Sequence, residues 1–156
     1  MSQDSIKKIA EDAKTRFEQM SKSESQAQIT QKENDTKITG YWRNVAQELQ
    51  SGVEIFNQTI GKEVARIQQD GPTLDLAQNA QLDIVVSQTP MRTRKVTLGF
   101  DPRRPQITLT DHNSGTGQTL IRLQLTGSSV IGKAQNPETS YTPEQLAEKI
   151  FTLLSN

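Results

Sequence analysis

The sequence predicts an α+β protein: a long N-terminal helix, or a helical hairpin, then a four- to five-stranded antiparallel β-meander and a C-terminal helix packed on one sheet face. Three observations predict it. Apolar residues recur at helical spacing from Ile38 to Ile67, the spacing changes from helical to alternating beyond Ala80, and a helix-start signature stands at Tyr141–Leu146.

The N-terminal segment carries Ile6, Ile9, Ala13, Phe17 and Met20 at steps of 3, 4, 4 and 3, one apolar stripe on a helix over residues 4–20. Asp4 or Ser5 suits its N-cap. Beyond Met20 the pattern fades into Ser21-Lys22-Ser23-Glu24-Ser25-Gln26, and residues 21–35 read as weakly held helix or linker. Residues 1–35 are thus expected to form an N-terminal arm, with a single α+β domain over 36–156.

The next stripe is the clearest. Ile38, Trp42, Val45, Leu49, Val53, Phe56, Ile60, Val64 and Ile67 cover 29 residues in eight steps, a mean of 3.625. A left-handed coiled coil needs about 3.5, so the stripe suits a nearly straight helix lying on a sheet. The expected helix is 36–69, with Asp35 as N-cap and Asp70-Gly71-Pro72 as its stop. Gly40 and Gly52 weaken it by about 1 kcal/mol each relative to alanine, and mark close contacts or nothing.

Alternation takes over in Ala80/Leu82/Ile84/Val86, then in Val96/Leu98/Phe100, Ile107/Leu109 and Thr119/Ile121/Leu123/Leu125, with a further extended piece at Val130-Ile131. Turn chemistry at Thr89-Pro90, at Asp101–Pro105 and at Asp111–Gly117 separates them. Connections this short favour an antiparallel sheet over 80–132. Asp83, Arg94, Thr108, Arg122 and Gln124 are expected on its outer face. The closing helix, 143–154, has Thr142 as N-cap, Pro143 at its first position and Gln145 to complete the capping box, with Tyr141 and Leu146 placed as a hydrophobic staple.

Composition narrows the chemistry. The chain has 156 residues, of which 32% are hydrophobic and 4% aromatic, with 18 basic and 18 acidic side chains. The balanced charge gives no whole-protein pull toward nucleic acid or anionic membrane. With no cysteine, disulfides, thiolate catalysis and cysteine-ligated metal are excluded. No window approaches a membrane span or the apolar core of a signal peptide, so a cytoplasmic setting is expected. No metal or cofactor motif is present. The single histidine, His112, reads as a loop residue in Asp111–Gly117, which lacks both a calcium-loop ladder and a phosphate-cradle ending.

Function is expected in one of three classes. The favoured one is a protein–protein interaction or assembly module that self-associates through its N-terminal helices, or binds a protein partner. The reason is length: a helix over 36–69 spans about 51 Å, whereas four strands extend only about 19 Å across a sheet. Ile38, Trp42 and Val45 would then lie uncovered unless residues 6–20 fold back, and with Ile9 and Phe17 they form the candidate interaction surface. The second class is a module for an anionic ligand or nucleic acid, using Arg92, Arg94, Lys95, Arg103 and Arg104, which give residues 91–104 a net charge of +4 against Asp101 alone. These fall at two ends of one strand, and stacking aromatics are scarce. An enzyme with a spatially assembled site is the third and is disfavoured, since nucleophile–base candidates are few.

Overall fold

A computed structural model describes residues 3–69, 80–113, 117–135 and 138–155. The fold is α+β, with a long N-terminal helix, a multi-stranded antiparallel sheet and a C-terminal helix packed on it. The chain divides into two compact units, residues 1–36 and 37–156. Helix α1 (Gln3–Ile60) contributes residues to both. Among the described residues seven strands succeed one another in sequence and in space: β1 (Ala65–Gln69), β2 (Gln81–Thr89), β3 (Arg92–Asp101), β4 (Gln106–Asp111), β5 (Gly117–Thr126), β6 (Ser129–Ala134) and β7 (Thr139–Tyr141). Helix α2 (Pro143–Ser155) closes the chain.

In the first unit the described residues are all helical, and none of them is buried. Residues 21–35 are helix and not linker. They contain neither glycine nor proline, and local side-chain bonds such as Gln31 Nε2 to Asp35 Oδ1 (3.0 Å) and Thr36 Oγ1 to the Lys32 carbonyl (2.9 Å) fit the helical geometry. Asp35 therefore lies inside the helix rather than at its start.

The end of α1 is the main departure from the sequence reading. The helix stops at Ile60, not at residue 69. Gly61 takes the left-handed conformation (φ 87°) that closes a helix, its N–H donating to the Asn57 carbonyl at 2.8 Å. Asn57 then organises the connection to β1. Its Oδ1 accepts the N–H groups of Val64 (2.9 Å) and Ala65 (2.8 Å), and its Nδ2 donates to the Ala65 carbonyl (2.9 Å). One side chain thus occupies the free edge of β1 where it begins. Val64 and Ile67 belong to this connection and to β1, so their helical spacing is coincidental. Asp70-Gly71-Pro72 falls outside the described residues.

The sheet is an uninterrupted antiparallel meander of seven strands, wider than the four or five expected. Pairing matches apolar faces: Leu82 stands opposite Leu98, Leu98 opposite Leu109, and Ile107 opposite Ile121. The β2–β3 hairpin reaches this register only through a bulge. Its two-residue turn pairs Thr89 with Arg92, and continuing that register would set Leu82 against Gly99, on the wrong face. One extra residue, Gln88, shifts the pairing so that Ser87 meets Thr93, Ile84 meets Val96 and Leu82 meets Leu98. Arg94, expected on the outer face, alternates with the buried Val96 and Leu98 and stands opposite Val86, so it lies on the core-facing side.

The core lies between the sheet and a helical layer made of α1 residues 38–56 and α2. Trp42, Val45 and Leu49 of α1 and Leu146, Ile150 and Leu154 of α2 are fully buried with Leu82, Ile84, Val96, Leu98 and Ile107 of the sheet. Trp42 stacks on Phe100 with ring centroids 5.1 Å apart. Six strand spacings give a sheet about 29 Å wide, and α1 from Ile38 to Phe56 is about 27 Å long. This match covers Ile38, Trp42 and Val45 within the second unit itself, which corrects the expectation that they stand uncovered.

Two glycines let the layers approach. A Cβ on Gly52 would run into the Phe151 ring of α2, which also stacks with Phe56 at 6.0 Å. A Cβ on Gly132 of β6 would lie 2.7 Å from the Tyr41 hydroxyl. The Tyr41 O–H donates to the Tyr141 carbonyl at 2.8 Å and so ties α1 to the β7 edge. Burial raises the Tyr41 pKa well above the ordinary phenol range, with a hydrogen bond to the Gly132 backbone opposing in part. Gly40, by contrast, has nothing near the position a Cβ would take. At the start of α2 the capping box is formed: Thr142 N–H donates to Gln145 Oε1 (3.0 Å) and Gln145 N–H to Thr142 Oγ1 (3.2 Å).

Candidate functional site

The expected interaction residues part company. Ile38, Trp42 and Val45 are interior, at 6%, 0% and 0% exposure, and offer no surface. Ile9 and Phe17 lie in the first unit at 59% and 67% exposure, flanked on the same stripe by Ile6 at 52% and Met20 at 59%. The stripe takes fourteen residues in four steps from Ile6 to Met20, a mean of 3.5 that is the seam period of a two-stranded coiled coil. Ala13 stands at its centre.

The expected basic residues are not brought together. Arg92 opens β3 and Arg103 and Arg104 come after its end, in the 102–105 turn, so a strand of ten residues separates them. That is about 30 Å by strand rise. Asp101 Oδ1 accepts the backbone N–H groups of Arg103 (2.9 Å) and Arg104 (3.3 Å), which fixes the turn without engaging either guanidinium. Lys95 stands on the outer face, where its ammonium lies 3.5 Å from Asp83 Oδ2 and is thereby neutralised locally.

The alternation of β2, β3 and β4 does not reveal the polar chain on that outer face. Thr97 Oγ1 is 2.6 Å from Asp83 Oδ1 and 2.7 Å from His112 Nε2. A hydroxyl, an imidazole and a carboxylate suggest a catalytic triad, but the order is wrong for one. The hydroxyl has one proton and Asp83 takes it, so His112 Nε2 carries a hydrogen and donates to Thr97. In a nucleophile triad the imidazole accepts the hydroxyl proton and the carboxylate orients the imidazole. Here the imidazole cannot activate Thr97, and the chain Lys95–Asp83–Thr97–His112 works as a cross-strand brace. Finding it from sequence would have required the β2–β3 bulge, which sets Asp83 opposite Thr97.

The Asp111–Gly117 loop is described through Asn113 and again from Gly117. Asp111 Oδ1 accepts both the backbone N–H (3.0 Å) and the side-chain Nδ2 (2.9 Å) of Asn113, a turn-forming use of that carboxylate. Among the described residues no three His, Asp or Glu side chains converge as metal donors, and no helix is long and apolar enough to cross a membrane. No protein-family model matches the chain, and no curated protein or solved structure is significantly similar to it.

Proposed function

We propose that this chain is a protein–protein interaction and assembly module that self-associates through its N-terminal helical segment, with Ile9 and Phe17 at the contact. The observation that carries the reading is the exposed row Ile6, Ile9, Phe17 and Met20. It lies on a helical unit with no buried described residue. A helix without packing is marginal in water, because the cost of its first turn is not offset by tertiary burial. Two copies laid stripe to stripe bury both rows and supply that packing, and soluble homomers commonly associate through such two-fold contacts. The 3.5-residue step favours a short paired helix over a contact with a flat surface.

Size-exclusion chromatography with light scattering tests this on the full chain at several concentrations. The expected result is a dimer or larger assembly for the parent and a monomer for Phe17→Glu, which places a charge in the seam. A parent chain that stays monomeric at high concentration refutes self-association.

A further inference from the structure

We propose that the outer face of the sheet carries an oxyanion-binding site of the phosphate class, built by Arg122 of β5 and Lys133 of β6. These two residues stand directly opposite each other in the β5–β6 register. Among the paired positions of the described sheet, this is where two charged side chains face each other, and they have the same sign. Like charges opposed across strands repel and destabilise the pairing. Elsewhere on the same face the protein does otherwise: Lys95 is set against Asp83. Neither Arg122 nor Lys133 is in an ion pair among the described residues. In the same cross-strand row Asp101 is two strands from Arg122, about 10 Å by strand spacing, and its Oδ1 already holds the 102–105 turn.

The surroundings suit an anion. Arg122, Lys133, Gln118, Thr119, Leu120 and Gln135 line a basin of about 370 Å³ open to solvent. Gln106 stands beside Arg122 on β4. The guanidinium offers a planar fork of N–H donors, the ammonium a mobile point charge, and the glutamine amides further donors, and none of the residues lining the basin is a carboxylate. Such a basin holds a compact tetrahedral group, which an oxyanion bound between the two cations would supply while removing their repulsion. The group could be free phosphate or the phosphoryl end of a small monoester.

The test tracks backbone amide resonances of the full chain during titration with inorganic phosphate, and separately with adenosine monophosphate, against chloride at equal ionic strength. Saturable shifts centred on residues 120–124 and 131–135 are expected. Tighter binding of the monoester would identify a phosphorylated ligand, and equal binding the bare oxyanion. Arg122→Gln and Lys133→Gln should each weaken phosphate by about tenfold or more. Unchanged affinity in both variants overturns the site. So does a parent chain whose shifts are absent or confined to residues 92–95, a result that needs no variant to fold.

Discussion

Replacing Asn57 by alanine should cost the protein about 2–4 kcal/mol of stability. The side chain makes three hydrogen bonds, two accepted from the N–H groups of Val64 and Ala65 and one donated to the Ala65 carbonyl. Each such bond contributes about 0.5–1.5 kcal/mol net, and an unpaired buried group costs more than an exposed one. Ala65 is 1% exposed, so two of the three backbone groups belong to a buried residue. Asn57→Asp keeps the acceptor for both amides and loses the donor, and should fall between the parent and alanine. Urea denaturation gives the free energies, and amide exchange at Val64 and Ala65 localises the effect. A loss below about 0.5 kcal/mol, the size of an ordinary surface change, would refute the reading that Asn57 sets the α1–β1 junction.

The core supplies two further tests. Ile150→Ala should cost about 2–4 kcal/mol, since the residue is fully buried between α2 and the sheet, and chemical denaturation of that variant checks it. Tyr41→Phe should cost about 1 kcal/mol near neutral pH through the lost bond to the Tyr141 carbonyl. It should also remove an alkaline dependence: the Tyr41 pKa is raised on folding, so its contribution is complete below the ordinary phenol pKa and declines above it, where the unfolded chain loses the proton first. Parallel stability-versus-pH curves for parent and variant above about pH 10 would contradict the burial of that hydroxyl.

What could be read from the sequence was chemistry that acts locally. The start of α2 is spelled out by Thr142, Pro143 and Gln145, and the bonds form as those residues dictate. The inward positions of β2 to β5 follow from alternation because one face of each strand is dry. The end of α1 was not legible, since Val64 and Ile67 satisfy a helical stripe while Ala65 and Ile67 satisfy a strand. The choice between them falls to Gly61 and to a side chain, Asn57, that reaches seven and eight residues ahead. The short β7 carries no pattern of its own. The candidate surface turns on the same matter of scale: a sheet four strands wide leaves Ile38, Trp42 and Val45 uncovered, and seven strands cover them.

The burial pattern separates two sources of helical stability. In α1 from Ile38 to Leu49, six residues are buried, and packing on the sheet holds the helix regardless of intrinsic preference. From Gln3 to Lys37 none is buried, so helix there must rest on propensity and on short-range side-chain pairs. The stretch 21–35 holds three serines, a threonine, an asparagine and an aspartate, residues of middling helix preference, and each local pair adds only about 0.2–0.5 kcal/mol. That is a thin margin for a segment in which four of the five large apolar side chains fall in a single row, Ile29 lying off it. A sequence selected only to be soluble there would have no reason to align Ile6, Ile9, Phe17 and Met20. Their alignment makes sense if the row is buried by association, when the same contact that hides it also supplies the packing its helix lacks.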